Sequence, residues 1–136
     1  MIIRDTTQND VMSFIPHGDD VKEAIAAGVN QLFPNSLEGV KSVDNKGHVM
    51  AIGGNMGDQV WFLTSHKVDY MSRNDKLRFR KCIIEYRDKM LETYPVLWNY
   101  VWIGNESHIR FLKTIGAVFH NEFTLGGQFQ LFTIRR

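Results

Sequence analysis

Ser107 and His108 are a nucleophile and a base by residue type, and they stand side by side in NESHIRFLKTIG, residues 105–116. Adjacent residues on a helix project about 100° apart, so the two are poorly placed to share a proton. Asp58 is the third candidate for catalysis, a carboxylate after Met56-Gly57 that could act as a general base from a strand end; its structural alternative is a turn aspartate. Asn105, just ahead of Ser107, reads as a helix cap or as a polar contact for a ligand. The five histidines (His17, His48, His66, His108, His120) show no HxH or HxxxH spacing and no carboxylate at ligand spacing, so no metal site is expected. Gly53-Gly54 with Gly57 lies between two strands rather than between strand and helix, which predicts a hairpin or bulge instead of a phosphate loop. Cys82 is the single cysteine; it has no disulfide partner, falls on an apolar stripe and reads as core in a reducing compartment.

Arg73, Lys76, Arg78, Arg80 and Lys81 put five cations into nine residues at the start of a helix, against the helix dipole. Such a run is a solvated face, or it meets an acidic partner surface, a nucleic acid or a nucleotide cofactor. The charge totals help to choose. The whole chain carries +1, but residues 1–66 hold four basic and eight acidic side chains against twelve and seven in residues 67–136. A lone basic patch argues against tight nucleic-acid binding, whose affinity grows with the number of phosphate contacts. A protein partner fits better with the aromatic supply of Trp61, Trp98, Tyr100 and Trp102.

The elements that must position these residues follow from periodicity and punctuation. Ile2 and Ile3 open a short strand, and Thr7 with Asp10 forms a capping-box start for a brief helix ending before Pro16. Asp19 and Asp20 read as caps of a second helix whose Val21, Ala24, Ile25, Gly28, Val29 and Leu32 recur on one buried face until Pro34. Strand periodicity takes over from Leu37 to Ser65, with turns at Asn45-Lys46-Gly47 and Met56-Gly57. A long helix runs from Ser72 to Pro95, with Leu77, Cys82, Ile83, Tyr86, Met90 and Tyr94 as its inward stripe. LWNYVWI, residues 97–103, is apolar on both faces, as in a central strand. A helix stopped by Gly116 and a final hairpin through Leu125-Gly126-Gly127 complete the order β, α, α, β, β, β, α, β, α, β, β.

With 136 residues, 43% apolar, the chain makes one domain with a self-sufficient core, residues 1–136, and intrinsic disorder is excluded. No stretch reaches the roughly 20 apolar residues of a membrane helix. The opening MIIRDTTQND lacks the layout of a signal peptide, so the expected setting is a cytosol, without membrane attachment.

The element order, with IIRDTTQNDV (residues 2–11) and NESHIRFLKTIGAVF (residues 105–119), resembles the GNAT N-acetyltransferase fold: a mixed, mostly antiparallel sheet of about six to seven strands flanked by about four helices. AIGGNMGDQVWFLTSHKV (residues 51–68) and the run from Arg80 to Ile134 resemble the small internal virion protein family of autographivirus-type short-tailed phages. That second resemblance implies a protein made in the host bacterial cytoplasm, needed for virion assembly and for the internal proteins of the particle, and itself a possible virion component. Phage structural or assembly proteins are its implied partners.

The GNAT resemblance implies acetyl-CoA or CoA as cofactor if the fold is active. The positions that would hold it are Phe62, Leu63 and Thr64 on the fourth strand, Arg73 and Asn74 at the long helix, and Asn105 and Phe111. Two features oppose activity. Residues 68–76 contain no glycine where the family cradles pyrophosphate, and Leu112 stands where the family places a proton-donating tyrosine. The expected function is therefore binding or scaffolding in particle assembly, with Arg73, Lys76, Arg78, Arg80 and Lys81 as the partner-binding set. An acyl-CoA-dependent N-acetyltransferase acting on a host or phage amine is the alternative, and a module that binds CoA without transfer is a third reading. An open split between the fourth and fifth strands beside an accessible Asn105 would favour the cofactor; filling by Trp61 or Trp102 would exclude it.

Overall fold

The computed structural model describes residues 1–136. Strand β1 (Ile2–Asp5) leads through helices α1 (Gln8–Ser13) and α2 (Gly18–Ala26) into a meander of β2 (Lys41–Asn45), β3 (His48–Met56) and β4 (Gln59–Thr64). A 3-10 turn (His66–Tyr70) precedes the long helix α3 (Arg73–Thr93); β5 (Val96–Trp102), α4 (Glu106–Thr114), β6 (Val118–Leu125) and β7 (Phe129–Arg135) follow. The seven strands form one sheet in the order β1-β2-β3-β4-β5-β7-β6. Every neighbouring pair is antiparallel except β4 and β5. The GNAT-type order expected from the sequence is the order observed.

Local chemistry accounts for the main boundaries. The Thr7 hydroxyl accepts the Asp10 N–H while the Asp10 carboxylate accepts the Thr7 N–H, the reciprocal cap that starts α1. Lys46 and Gly47 both take positive φ, 54° and 89°, which closes β2 onto β3 as a two-residue hairpin. Gly53 and Gly54 are neither hairpin nor bulge, contrary to expectation: they sit inside β3, in register with Phe62 and Trp61 of β4. A Cβ on Gly53 would fall 2.7 Å from both Phe62 Cβ and the Trp61 carbonyl oxygen, and one on Gly54 would fall 3.2 Å from the Trp61 indole nitrogen. Gly53 is there because the β4 backbone at Trp61 and Phe62 approaches it closely, and Gly54 because the Trp61 indole lies over it. The register shift of this meander lies instead between Val43 and Asp44.

Two expected apolar faces are corrected. Helix α2 stops at Ala26, with Gly28 at φ 69° beyond it, and Val21, Ile25 and Val29 are exposed rather than buried, Ile25 by 74%. Its inward residues are Asp20 and Glu23. On α3 the inward stripe holds Cys82, Ile83 and Met90 as predicted and gains Phe79, but Leu77 is 58% exposed. The core is two apolar clusters on the α3 side of the sheet. One joins Leu91, Leu97, Val101, Leu112, Ile115, Phe132 and Ile134, the other Val43, Met50, Ala51, Phe79 and Cys82, and Ile83 and Phe111 pack against both.

The two ends of the sheet differ. β1 is a four-residue edge paired in unbroken register with β2. β6 is the other edge, and its pairing with β7 breaks between His120 and Thr124, leaving residues 121–123 as an outward excursion.

Candidate functional site

The parallel strands β4 and β5 pair only at Gln59 and Trp98, and beyond that point they diverge. Divergence strands backbone polar groups, which must be satisfied from elsewhere. Asn99 bridges the mouth, its Nδ2 donating to the Val60 carbonyl at 2.7 Å and its Oδ1 accepting the Tyr100 N–H at 2.7 Å. Further along, helix α2 closes the gap with carboxylates. Asp20 Oδ2 accepts the Thr64 N–H of β4 at 2.8 Å, and Glu23 Oε1 accepts the Trp102 N–H of β5 at 2.8 Å.

Helix α2 can do this because its acids are spaced for it. His17 caps the helix through Nδ1, which accepts the Asp19 N–H, and Asp19 and Asp20 fall in the first turn, where the helix dipole favours negative charge. Asp20 and Glu23 are three residues apart and therefore share a face. Asp20 Oδ1 also accepts from Asn105 Nδ2 at 2.9 Å, Asp19 Oδ2 accepts the Ser107 hydroxyl at 2.7 Å, and Asn105 Oδ1 caps α4 by accepting the His108 N–H. The His108 ring stacks on Phe62 with centroids 4.4 Å apart, and its Nδ1 lies 3.6 Å from Asp20 Oδ1 without a hydrogen bond. Burial pushes the Asp20 carboxyl up, but the facing His108 and the bonds from Thr64 and Asn105 outweigh it and hold the group below its ordinary range. For Glu23 burial wins, and its carboxyl is raised.

Of the candidate catalytic residues, Ser107 and Asp58 are drawn into structure, whereas His108 keeps its buried Nδ1 without a hydrogen-bond partner. Ser107 gives its hydroxyl to Asp19 and does not meet His108. Asp58 accepts the Trp98 indole N–H at 2.9 Å, while its backbone carbonyl accepts the Trp98 N–H, so it fastens β5 to the turn before β4.

Several positions that would hold an acyl-CoA are engaged in internal contacts. Of the positions that would hold one, Thr64 has its N–H taken by Asp20, Asn105 is fully buried, and Phe62 and Phe111 are edge-to-face with one another. Leu63 continues β4 beside them. Arg73 and Asn74 lie exposed in the first turn of α3, where the Ser72 hydroxyl accepts the Asp75 N–H and Asp75 adds a carboxylate. Leu112 is 1% exposed in the core. The split is bridged by Asn99, Asp20 and Glu23 rather than filled by the tryptophans. An apolar cavity of about 130 Å³ nevertheless lies in the split, lined by Val60, Phe62, Leu97 and Val101 together with Glu23 and Asn99 themselves. A more polar groove of about 330 Å³ runs between the start of α3 and α4, with Lys76 and Arg110 on its walls.

The basic run is divided in use. Arg78 pairs with Asp75 at 3.1 Å, and Arg80 donates to the Thr114 carbonyl at 2.7 Å. Arg87, outside the predicted set, donates to the Ile115 carbonyl at 2.6 Å, so two guanidinium groups of α3 satisfy the last carbonyls of α4. Arg73, Lys76 and Lys81 are exposed and have no carboxylate within 4 Å.

Residues 40–124 match the family described as "Bacteriophage T7, probable scaffold protein Gp13". The full chain is 57% identical, over 136 residues, to the "Probable scaffold protein gp13" of Escherichia phage T7, covering 100% of this chain and 98% of that protein. The chain belongs to the Gp13 family. Among solved structures, this Gp13-family chain resembles an acetyltransferase from Agrobacterium tumefaciens (TM-score 0.67, 15% identity, 98% of this chain and 90% of that one). It also resembles a ribosomal-protein-alanine N-acetyltransferase from Brucella melitensis (TM-score 0.57, 12% identity, 100% of both chains). At these identities the likeness shows the fold: this Gp13-family chain has the GNAT architecture.

Sequence reasoning missed Glu23 and gave Asp20 only a capping role. The signal was present in Asp19-Asp20-Val21-Lys22-Glu23: the acids share one side of α2 while Val21 and Ile25 share the other. Taking the apolar side as the buried one inverted the helix.

Proposed function

We propose that the chain acts in assembly of the phage particle as a binding or scaffolding protein, on a GNAT-type fold that no longer transfers an acyl group. The observation that carries this reading is the closure of the β4–β5 split by Asp20 and Glu23, which take the Thr64 and Trp102 N–H groups that a ligand lying along these strands would need. Buried Leu112, which cannot protonate a leaving thiolate, supports it, as do the absence of glycine from residues 68–76 and the Asp75 carboxylate in the first turn of α3. The name of the T7 relative supports the assembly role. The partners are phage structural or assembly proteins, met in the host cytoplasm and in the forming virion, through the face of α3 that carries Arg73, Lys76 and Lys81.

Calorimetric titration with acetyl-CoA tests the loss of transfer. No heat at millimolar ligand is expected, and binding in the low micromolar range would overturn the reading. Complementation tests the assembly role: the chain supplied in trans to a phage lacking its own copy restores infectious particles, and unchanged particle yield without it would count against the role.

A further inference from the structure

The solvent side of α3 shows an arrangement the fold does not need. Leu77 is 58% exposed, with Arg73 one turn before it and Lys81 one turn after it, and spacings of four place all three on one face. Tyr70, two residues ahead of the Ser72 cap, is 85% exposed. The arginines later in this helix, Arg78, Arg80 and Arg87, find internal partners, whereas Arg73 and Lys81, like Lys76 and Lys89, have none. Arg73 in the first turn also opposes the helix dipole. An incoming carboxylate would be favoured there by the cation and by the dipole together, while an apolar group beside it would cover Leu77.

We propose that the stripe of Arg73, Leu77 and Lys81, with the exposed Tyr70 just ahead of the helix, receives an acidic amphipathic segment of a partner protein, its carboxylates meeting Arg73 and Lys81 and its apolar side chains covering Leu77. The proposal rests on the assembly reading above and gives its partner a chemistry. Two observations select this occupant. A nucleic-acid backbone would satisfy the cations but leave Leu77 uncovered. A second copy of the chain is a poorer match, because on its acidic half each carboxylate other than Glu38 is already held by an internal partner: Asp5 by Lys41 on the surface, Asp10 and Asp44 by Arg4, Asp19 by Ser107, Asp20 by Asn105, Glu23 by Trp102 and Asp58 by Trp98.

The test uses a fluorescent amphipathic helical peptide with glutamates flanking a leucine ridge, compared with the same peptide carrying lysines for glutamates and with a single-stranded oligonucleotide. The full chain is expected to bind the acidic peptide alone, more weakly as salt rises. Leu77→Asp and the double variant Arg73→Glu/Lys81→Glu should each weaken it by about tenfold or more, with unchanged circular dichroism and melting temperature. Lys46→Glu, on the β2–β3 hairpin, should not. The same α3 variants should fail to restore infectious particles in trans. Absence of acidic-peptide binding, equal binding by Leu77→Asp, or preference for the oligonucleotide overturns the proposal. If peptide binding is lost but complementation is normal, this stripe is not the assembly contact and the proposal falls. If the variants block complementation but the wild-type chain ignores the peptide, the assembly reading stands and the acidic partner is wrong.

Discussion

Asp20 and Asn105 meet side chain to side chain, Oδ1 to Nδ2 at 2.9 Å, although 85 residues separate them in the chain. The contact joins the first turn of α2 to the cap of α4, and the second oxygen of Asp20 holds the end of β4. Three elements thus depend on one buried carboxylate.

Replacing Asp20 by Ala leaves the Thr64 N–H and the Asn105 amide without their acceptor in a buried site. The expected loss is about 2–4 kcal/mol of folding stability, with Asp20→Asn losing less because one acceptor oxygen survives. Urea unfolding measures both. A loss under about 0.5 kcal/mol for the alanine variant would show that α2 does not fasten the split.

Glu23 carries a testable pH signature. Its carboxyl is raised by burial, so the folded chain keeps a proton that the unfolded chain has released. Stability should therefore fall as pH rises from the ordinary glutamate range through the raised value. Glu23→Gln keeps an acceptor for the Trp102 N–H and should remove that segment of the pH–stability curve. A curve unchanged in this variant would contradict the assignment.

The Arg4 ion pairs act at lower pH and with opposite sign. Hydrogen bonding from Arg4 holds the Asp10 carboxyl down at about 2, and Arg4 also bonds Asp44. This contribution is present above the ordinary aspartate range and is lost as pH falls toward about 2. Arg4→Met should flatten the acid limb of stability between about pH 4 and 2, measured by thermal melts across that range.

Gly53 and Gly57 separate close packing from backbone freedom. Gly53→Ala forces a Cβ onto Phe62 and the Trp61 carbonyl and should cost more than about 2 kcal/mol, since the nearest atoms include backbone. Gly57 sits at φ 59° with open space around it, so Gly57→Ala should cost about 1 kcal/mol. Equal costs would mean that the β3–β4 approach is less tight than it stands.

Most of the architecture was legible because its signals are local. The Thr7–Asp10 box, the Asn45-Lys46-Gly47 hairpin, the Ser72 cap and the Gly116 stop are each written in a few residues, and together they gave all the strands and helices in order. The candidate site was legible only in part. That Leu112 cannot donate a proton is a property of one residue, whereas the role of Asp20 depends on Thr64 and Asn105 arriving from far along the chain. Helix α2 was misread for the same reason. Its apolar stripe is a valid local signal, but what faces it across the fold is a split sheet with unsatisfied N–H groups, and these take the acidic side.

The broken pairing of β6 bears on how copies of this protein coexist. An unbroken outer strand would offer another sheet a regular row of N–H and C=O groups, and Val118, Phe123 and Leu125 are already exposed along it. The excursion at residues 121–123 interrupts that row in the middle of the strand. Edge-to-edge pairing through β6 is thereby discouraged, and of the two edges only the four-residue β1 is left without a break.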